Sequence, residues 1–451
     1  MTDTIAAIAT PPGLGGIGII RLSGPQAEDI LLKVFQPMKK GLRNAPLPSH
    51  QLLFGHAVSE KGILDECMAV LMRAPRSYTR EDVAELHCHG SYLVLQQVLS
   101  LCLSHGARLA DPGEFTRRAF ENGRIDLTQA EAVMELISAS SEVSRRYAVE
   151  QLQGGVSSFI RQAAGELYSV EAAISAATDY PEEIDEAEIS CGLADRIRSV
   201  RGRLANACDE NAARLVREGL LVVLYGRPNV GKSSLLNALL GEDKAIVTAI
   251  PGTTRDQVTG TFYLDGFLIQ LVDTAGIRET EDPVEAIGVN RSIAAMRRAD
   301  LVLAVFDSSE VLTQEDRDCL SQSDGRWTLV LNKSDLAAKL RPEELRALAP
   351  QAPLLAVSAT SPSSLAPLKD ILRQRASLRD GTILSQPRQL AAARQAVNSL
   401  EHALRTLEAG HPLDVVTVDL DAACRALAEI TGDQVDERIL DEVFAQFCVG
   451  K

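Results

Sequence analysis

The N-terminal part of the chain alternates short apolar runs with glycine and proline. Several runs have the length and spacing of β-strands, at Ile5–Ala9, Gly18–Leu22, Leu52–Val58, Cys67–Met72 and Val83–His87. A longer apolar stretch, Ser91–Ser104, has the length of a helix instead. This mixture predicts an α+β domain over residues 1–118.

The pattern changes near Thr128, where Ala, Leu, Glu and Arg begin to dominate. Thr128-Gln-Ala-Glu131 has the sequence of a capping box, which predicts the start of a helix. Three long helices would fill the span to Glu218. Helical stretches return after residue 380, at Arg388–Glu408, Asp419–Thr431 and Asp436–Phe447. We therefore expect one all-α helical domain built from residues 119–218 and 381–451.

Between the two helical stretches, apolar strands alternate with helices. Leu220–Leu224 is a buried-strand pattern that leads into a glycine turn. Similar runs follow at Phe267–Val272, Leu301–Phe306, Thr328–Leu331 and Leu354–Val357. The alternation predicts a doubly wound, mostly parallel sheet over residues 219–380, inserted into the helical domain. The expected fold class is therefore multidomain α/β.

Composition narrows the functional classes. Of 451 residues, 45% are hydrophobic and 24% charged, which excludes extended disorder. Aromatic residues make up only 4%, too few for a line of rings that stacks bases. The net charge of -15 argues against non-specific coating of nucleic acid or membrane, but leaves room for a local basic patch.

Targeting and metal signals are weak. The chain lacks a long apolar span or a basic leader, so we expect a cytoplasmic protein without a membrane segment. The eight cysteines form no C-x-x-C pair, and the His87-Cys88-His89 cluster has no further ligand nearby. We expect neither a disulfide framework nor a structural metal.

Residues 226–233 carry the clearest chemical motif. Gly226-Arg-Pro-Asn-Val-Gly-Lys-Ser233 matches G-x-x-x-x-G-K-[ST] between a predicted strand and a predicted helix. In such a loop, backbone N–H groups surround the phosphates, the lysine reaches the β and γ oxygens, and the serine hydroxyl binds Mg²⁺. The predicted phosphate-binding residues are Asn229, Val230, Gly231, Lys232, Ser233 and Ser234.

Three later elements, each after a predicted strand, indicate that the nucleotide is GTP. The first places a carboxylate near Mg²⁺ and a glycine N–H near the γ-phosphate: Asp273, Thr274, Ala275 and Gly276. The second supplies a carboxylate for the guanine N1 and N2 groups: Asn332, Lys333, Ser334 and Asp335. The third has the position of the loop that contacts the guanine carbonyl oxygen: Ser358, Ala359 and Thr360. The inserted domain is thus predicted to be a P-loop G domain with GTPase activity.

The sequence departs from a Ras-like pattern at residue 277, an isoleucine that cannot orient water. A Gly/Thr-rich loop before Asp273 is assigned to the nucleotide site: Thr248, Ala249, Ile250, Pro251, Gly252, Thr253 and Thr254. Within it, Thr254 is the expected second Mg²⁺ ligand. This loop and the Asn229 side chain together offer oxygens for a monovalent cation near the phosphates. Alternatively, Asn229 is only a turn residue.

Segments at both ends of the chain add a family resemblance. They are Ala9–Gly16, Arg21–Gly24, Tyr78–Asp82 with His89-Gly90, Asp111–Thr116 and Phe447–Lys451. With the nucleotide motifs, they make the whole chain similar to the MnmE (TrmE) family of tRNA-modification GTPases.

The resemblance implies a homodimer whose N-terminal domain dimerises and binds 5-formyl- or methylene-tetrahydrofolate. It also implies that the G domains dimerise in the presence of K⁺, which stimulates GTP hydrolysis. It also implies a heterotetramer with the FAD-dependent flavoprotein MnmG, which adds an aminomethyl or carboxymethylaminomethyl group to the wobble uridine of tRNA. Matching positions give a K⁺ site (Asn229, Thr248, Ile250, Thr253), a Mg²⁺ site (Ser233, Thr254), a catalytic Glu285 and folate contacts (Arg21, Glu85, Arg124, Lys451). The family has Lys where this chain has Arg124, and the different fork geometry makes that contact less secure.

Spacing alone leaves other readings open. Arg21 could also be a surface cation at a strand end, and Glu85 a solvated strand residue. Cys448 is either a buried helix-end thiol or a residue that takes part in the chemistry. The alternative function is a GTPase switch in RNA or ribosome assembly, without chemistry on a base. Such a switch would usually carry a basic RNA-binding domain, and the sequence shows none.

Overall fold

The computed structural model describes residues 3–39, 46–180, 186–242, 260–273 and 295–450, apart from the side chains of residues 186–191 and 242. The chain divides into two compact units. Unit 1 comprises Met1–Met134, Glu150–Leu204 and Ala391–Lys451, and unit 2 comprises Glu135–Val149 and Ala205–Leu390. Across the described ranges, no helix combines the length and apolar character needed to cross a membrane.

Unit 1 contains a seven-stranded mixed sheet. In chain order its strands are β1 Ile5–Ile8, β2 Gly15–Ser23, β3 Phe35–Pro37, β4 Leu53–Ser59, β5 Gly62–Met72, β6 Val83–Gly90 and β7 Arg108–Leu109. Their spatial order is β3-β4-β5-β6-β2-β1-β7, and neighbours are antiparallel except β1 and β7. In the β2–β6 pair, Arg21 lies directly opposite Glu85. The sheet therefore brings two predicted site residues together.

Unit 2 contains a six-stranded, mostly parallel sheet. Its strands are β8 Leu220–Tyr225, β9 Gly260–Leu264, β10 Phe267–Asp273, β11 Leu301–Asp307, β12 Trp327–Asn332 and β13 Leu354–Ala356. The spatial order is β13-β12-β11-β8-β10-β9, with only β9 antiparallel to its neighbour. Because β8, β10, β11 and β12 are parallel, their carboxyl ends meet at one edge of the sheet.

Both units also contain helices. In chain order they are α1 Ala27–Val34, α2 Tyr92–Ser104, α3 Glu114–Glu121, α4 Leu127–Ser138, α5 Glu142–Leu152, α6 Gly155–Asp179, α7 Glu186–Ala207, α8 Glu210–Glu218, α9 Lys232–Glu242, α10 Gln314–Leu320, α11 Pro342–Leu348, α12 Ala366–Arg375, α13 Pro387–Glu408, α14 Leu413–Thr431 and α15 Glu437–Ala445. A 3₁₀ turn at Pro362–Leu365 precedes α12.

The packing of these elements confirms the predicted fold class. In unit 1, α1 and α2 pack against the mixed sheet. In unit 2, side chains of β8 alternate between two cores: Leu224 packs with α9 and α12, whereas Val223 packs with α10 and α11. Helices therefore cover both faces of the parallel sheet, which is the doubly wound arrangement.

Local details differ from the sequence prediction. The described residues between 127 and 218 form five helices rather than the three predicted. The first begins one residue before Thr128, and its reciprocal cap is formed by Asp126 and Gln129: the Asp126 carboxylate accepts the Gln129 N–H (3.1 Å), and the Gln129 amide oxygen accepts the Asp126 N–H (3.0 Å). Thr128 bonds Asp126 and Ser157 instead, so the predicted capping box is wrong. The predicted domain boundaries remain a prediction.

Candidate functional site

The loop between β8 and α9 has the backbone shape that its glycines predict. Gly226 and Gly231 adopt φ of 148° and 94°, a region that L side chains rarely occupy. A Cβ at Gly226 would collide with the Val305 carbonyl oxygen, and one at Gly231 with the Asn332 amide. Glycine is therefore required at both positions by backbone conformation and by close packing.

Lys232 lies within this loop. Its side chain is buried, and its Nζ donates to the carbonyl oxygens of Gly226 (2.6 Å) and Arg227 (2.7 Å). The ammonium group is thus held inside the loop, where a phosphate chain would need its charge. Next to it, the Ser233 hydroxyl donates to the Asp273 carboxylate (3.3 Å) at the end of β10. A hydroxyl and a carboxylate at this separation suit a Mg²⁺ ion bound beside phosphates.

Asn332 ties three predicted segments together. Its side-chain nitrogen donates to the Val230 carbonyl oxygen (3.0 Å), and its side-chain oxygen accepts the Ala359 N–H (3.2 Å). The residue is buried at the end of β12. One amide therefore connects the phosphate loop, the 332–335 motif and the 358–360 loop.

Lys333 makes a second connection. Its Nζ donates to the Asn229 carbonyl oxygen (2.9 Å) and pairs with the Asp307 carboxylate (2.5 Å). Burial alone would raise the pKa of Asp307, but hydrogen bonds from Lys333 and Ser309 outweigh it and hold the pKa below its usual value. Sequence reasoning missed Asp307, although an aspartate directly after the Leu301–Phe306 run was a visible signal.

Asp335, the predicted guanine-binding carboxylate, is exposed and oriented by a hydroxyl. Ser358 is buried and donates to the Asp335 Oδ1 (2.5 Å), and it also bonds the Thr360 hydroxyl (2.8 Å). The Ser334 N–H donates to the Val357 carbonyl oxygen (3.1 Å). The two segments predicted to contact guanine are thus hydrogen-bonded to each other.

Several predicted residues lie outside the described ranges, so their placement stays a prediction. They are Thr248, Ala249, Ile250, Pro251, Gly252, Thr253, Thr254, Thr274, Ala275, Gly276, Ile277, Glu285 and Lys451. The remaining predicted nucleotide residues, from Asn229 to Ser234 and at 273, 332–335 and 358–360, all lie in unit 2. The structure brings the described members together at the carboxyl edge of the parallel sheet.

A second cluster forms in unit 1 around Arg21 and Glu85. The Arg21 Nε donates to Glu85 (2.8 Å), and the His87 Nε2 lies 3.1 Å from the other Glu85 oxygen. Burial raises the pKa of Glu85, but hydrogen bonds and charge from His87 and Arg21 outweigh it, so the net pKa lies below the usual value. The Glu85 carboxyl is therefore ionised at neutral pH.

An aromatic ring joins a third predicted residue to this cluster. The guanidinium carbons of Arg21 and Arg124 lie 5.6 and 4.7 Å from the centre of the Tyr78 ring. Both are within the range of a cation–π contact. Sequence reasoning did not assign Tyr78 to the site, because its contact with residues 57 and 46 positions away cannot be inferred from local spacing.

The C-terminal segment reaches the same cluster. Val449 pairs with Pro112, and the Arg21 Nη1 lies 3.5 Å from the Gly450 carbonyl oxygen. Gly450 is buried at a φ of 93°, where a Cβ would meet the backbone of Ile8 and Ala9. Cys448 is exposed, so the reading of it as a buried thiol is wrong.

Comparison with known proteins gives matches along the whole chain. Residues 4–124 match the family model described as the GTP-binding protein TrmE N-terminus, and residues 127–448 match the MnmE helical domain. A tRNA modification GTPase MnmE from Enterococcus faecalis is 44% identical, covering 100% of this chain and 98% of that protein. One from Geobacillus kaustophilus is 43% identical over 100% and 99% of the two chains. Among solved structures, the G domain of the T. maritima FeoB iron transporter is 30% identical over 35% of this chain and 99% of its own, with a TM-score of 0.27.

Proposed function

Because the chain belongs to the MnmE (TrmE) family of tRNA modification GTPases, we propose that it hydrolyses GTP while modifying the wobble uridine of tRNA. The observation that supports the proposal is that the predicted guanine-nucleotide segments come together in unit 2. There, Asn332 bonds both the phosphate loop and the 358–360 loop, and Ser358 orients Asp335. Full-length similarity to tRNA modification GTPases links that site to tRNA.

For hydrolysis, the residues supply positioning and charge rather than covalent chemistry. Lys232 would neutralise charge on the β- and γ-phosphates. Ser233 and Thr254 would hold Mg²⁺, with the Asp273 carboxylate beside the ion. The Mg²⁺ ion contributes charge stabilisation as phosphate charge develops. Since Ile277 cannot orient water, we assign the role of orienting or activating the attacking water to Glu285. The Asn229 side chain forms no hydrogen bond to the rest of the described chain, and it is proposed to bind K⁺ with Thr248, Ile250 and Thr253.

The Arg21 cluster is the proposed folate site. Arg21, Glu85 and Arg124 supply cationic and anionic groups beside the face of Tyr78, a combination that suits the polar edge and flat ring of a pterin. Lys451 would approach from the C-terminal segment, whose Gly450 already contacts Arg21. The folate would supply a one-carbon unit.

The remaining parts of the proposal concern partners and organisation. We propose a homodimer in the cytoplasm, working with the FAD-dependent flavoprotein MnmG on tRNA. We also propose three domains: residues 1–118 for folate binding and dimerisation, 119–218 with 381–451 as the helical domain, and 219–380 as the G domain.

The test is mass spectrometry of wobble uridines in tRNA from a strain that lacks this protein. Wild type should restore the modified uridine. The control variant Arg76→Ala should restore it too, because Arg76 is exposed and its side chain makes no bond among the described residues. Lys232→Ala and Arg21→Ala should not. Purified Arg21→Ala should also lose roughly 1.5 to 3 kcal/mol of 5-formyl-tetrahydrofolate binding in calorimetry.

The alternative, a GTPase switch without base chemistry, predicts a different pattern. Wobble uridines would then be the same with and without the protein, while ribosomal or RNA particles would assemble abnormally. That result, combined with normal GTP turnover by the purified protein, would contradict the proposed function.

A further inference from the structure

A cavity of about 710 Å³ lies in unit 2 at the sheet edge opposite the nucleotide loop. Its walls come from α8, the start of β8, residues 297–300 before β11, Arg326 before β12 and the end of α12. These are amino ends of strands, whereas the phosphate loop follows the carboxyl end of β8. A six-residue strand spans about 17 Å, so the two places are well separated.

Arginines dominate the lining of this cavity. Within the described chain, its basic lining residues are all arginines rather than lysines: Arg214, Arg297, Arg298, Arg326, Arg375 and Arg379. The acidic lining residues are fewer: Asp209, Glu218 and Asp300. Arg326 also pairs with the Asp324 carboxylate (2.7 Å). Even so, arginines outnumber carboxylates around the cavity, in a chain whose net charge is -15.

Two of the acidic groups are engaged in holding the walls. The Asp209 side chain accepts the N–H groups of Asn211 (2.9 Å) and Ala212 (3.1 Å). Asp300 accepts the Leu221 N–H (2.8 Å) and pairs with Arg214. These two carboxylates thus bind backbone N–H groups and one arginine. They do not pair with the other arginines of the cavity.

Some of the arginines also have structural partners. The Arg326 Nη1 donates to the carbonyl oxygens of Met296 (3.2 Å), Arg297 (3.0 Å) and Ala299 (3.0 Å), and Arg375 donates to Gly325. The three remaining arginines have no such partners among the described residues. Arg297, Arg298 and Arg379 are exposed, and their guanidinium groups form no hydrogen bond or ion pair with the described part of the chain.

We propose that this cavity, which we call the arginine cavity, binds backbone phosphates of tRNA. The inference rests on the proposed function, which requires the protein to hold tRNA. A guanidinium group binds a phosphate through two parallel hydrogen bonds, and arginine is the preferred residue for such contacts. An acidic protein needs a local basic site to overcome its repulsion of RNA, and this cavity supplies unpaired cations in a concave site.

The test compares two triple variants of the full-length protein. The cavity variant carries Arg297→Ala, Arg298→Ala and Arg379→Ala. The control variant carries Arg317→Ala, Arg341→Ala and Arg346→Ala. It removes the same charge from exposed arginines in α10, directly before α11 and in α11, whose side chains form no bond within the described chain. Affinity for a tRNA transcript is measured by fluorescence anisotropy at several KCl concentrations, and GTP affinity is measured in parallel.

The cavity variant should bind tRNA at least about tenfold more weakly. The plot of log affinity against log salt should become shallower, with a slope smaller in magnitude by about 2 to 3. The control variant should match wild type. GTP affinity should be unchanged in both variants, since about 17 Å exceeds a Debye length of about 8 Å at physiological salt.

Other results would overturn the proposal in distinguishable ways. Equal tRNA affinity and slope in the cavity and control variants would show that the cavity does not hold RNA, and the proposed function would stand. Loss of binding to polyglutamate but not to tRNA would assign the cavity to an acidic protein partner. If wild type turns over GTP but binds no tRNA at any salt concentration, the proposed function fails and the cavity assignment fails with it.

Discussion

Asn229 adopts a φ of 65°, in the left-handed region that favours glycine and, to a lesser degree, asparagine. Its backbone carbonyl accepts a hydrogen bond from Lys333, while its side chain extends from a tight turn. The turn-residue and cation-ligand interpretations of Asn229 therefore describe different atoms of one residue. They can be separated by changing the side chain without changing the backbone conformation.

The first prediction uses that separation. Asn229→Gly preserves the left-handed turn and the backbone contact with Lys333, but removes the side-chain oxygen proposed to bind K⁺. We expect GTP affinity close to wild type and a loss of the rate advantage of KCl over NaCl. The measurement is kcat for GTP hydrolysis in each salt.

Asn229→Ala serves as a comparison, because alanine adds strain at this φ. If the alanine variant loses stability and the glycine variant keeps its full potassium response, Asn229 is only a turn residue. Equal wild-type rates in KCl and NaCl would contradict the cation site itself.

At the level of elements, α3 in unit 1 is organised around a buried arginine. The fully buried Arg118 contacts the carboxylates of Asp3 (2.8 Å), Glu81 (3.1 Å) and Glu114 (2.9 Å), and Arg108 also binds Asp3 and Glu114. Burial raises the pKa of Glu114, but hydrogen bonds from Arg108, the Asp111 N–H and Arg118 leave it below its usual value. This network joins the N-terminal strand, the loop before β6 and α3.

The second prediction is that Arg118→Met destabilises unit 1 in a pH-dependent way. Methionine fills much of the space but removes the buried cation that contacts Glu81 and Glu114, so that Arg108 is left as the arginine partner of Glu114. Breaking such a buried pair costs about 3 to 5 kcal/mol. Because the folded pKa of Glu114 is depressed, its contribution is present above the unfolded pKa and disappears as pH falls through the folded value. The difference in Tm should therefore be largest near pH 7 and narrow below about pH 4.

Arg117→Met on the same helix is the matched control, because the Arg117 side chain is partly exposed and its partners Glu437 and Asp441 are exposed. Exposed pairs contribute about 0 to 1 kcal/mol. A shift in Tm that is equal for both variants, or independent of pH, would show that the buried network has no special role.

The same elements show what the sequence could and could not predict. The phosphate loop and the 332–335 motif were predictable, since glycine conformation and strand-end placement are set by adjacent residues. The short strands Phe35–Pro37 and Arg108–Leu109 were not, because pairing with distant strands defines them. The Asp126 cap was missed because two overlapping cap patterns are present there, and the Thr128 hydroxyl bonds the distant Ser157 and Asp126 instead of capping the helix.

At the scale of the whole molecule, the proposed chemistry depends on two copies and on two units. Unit 1 carries the Arg21 cluster, and unit 2 carries both the guanine-nucleotide site and the arginine cavity. The family resemblance implies that GTP hydrolysis is stimulated when two G domains associate. Binding, association and hydrolysis are then separate steps that a variant can uncouple.

The third prediction concerns that uncoupling. Glu285→Ala should retain GTP affinity and potassium-induced association of G domains, but lose at least about a hundredfold in kcat, since a general base contributes roughly 10² to 10⁴ in rate. Single-turnover hydrolysis and light scattering measure the two steps. Glu281→Ala, a nearby carboxylate, is the control and should remain close to wild type. A Glu285→Ala rate within a few-fold of wild type would move the role to Glu281 or Asp282.

The two bonds of the Asn332 amide predict how mutations at this position behave genetically. One side chain holds the phosphate loop at one end and the guanine-contacting loop at the other. The closest analogues do not reproduce both bonds, since aspartate has the same length but lacks the donor and glutamine carries its amide on a longer stem. Missense mutations at this position should therefore abolish function rather than reduce it by degrees. Second-site suppressors should be rare, because they would have to restore two hydrogen bonds at once.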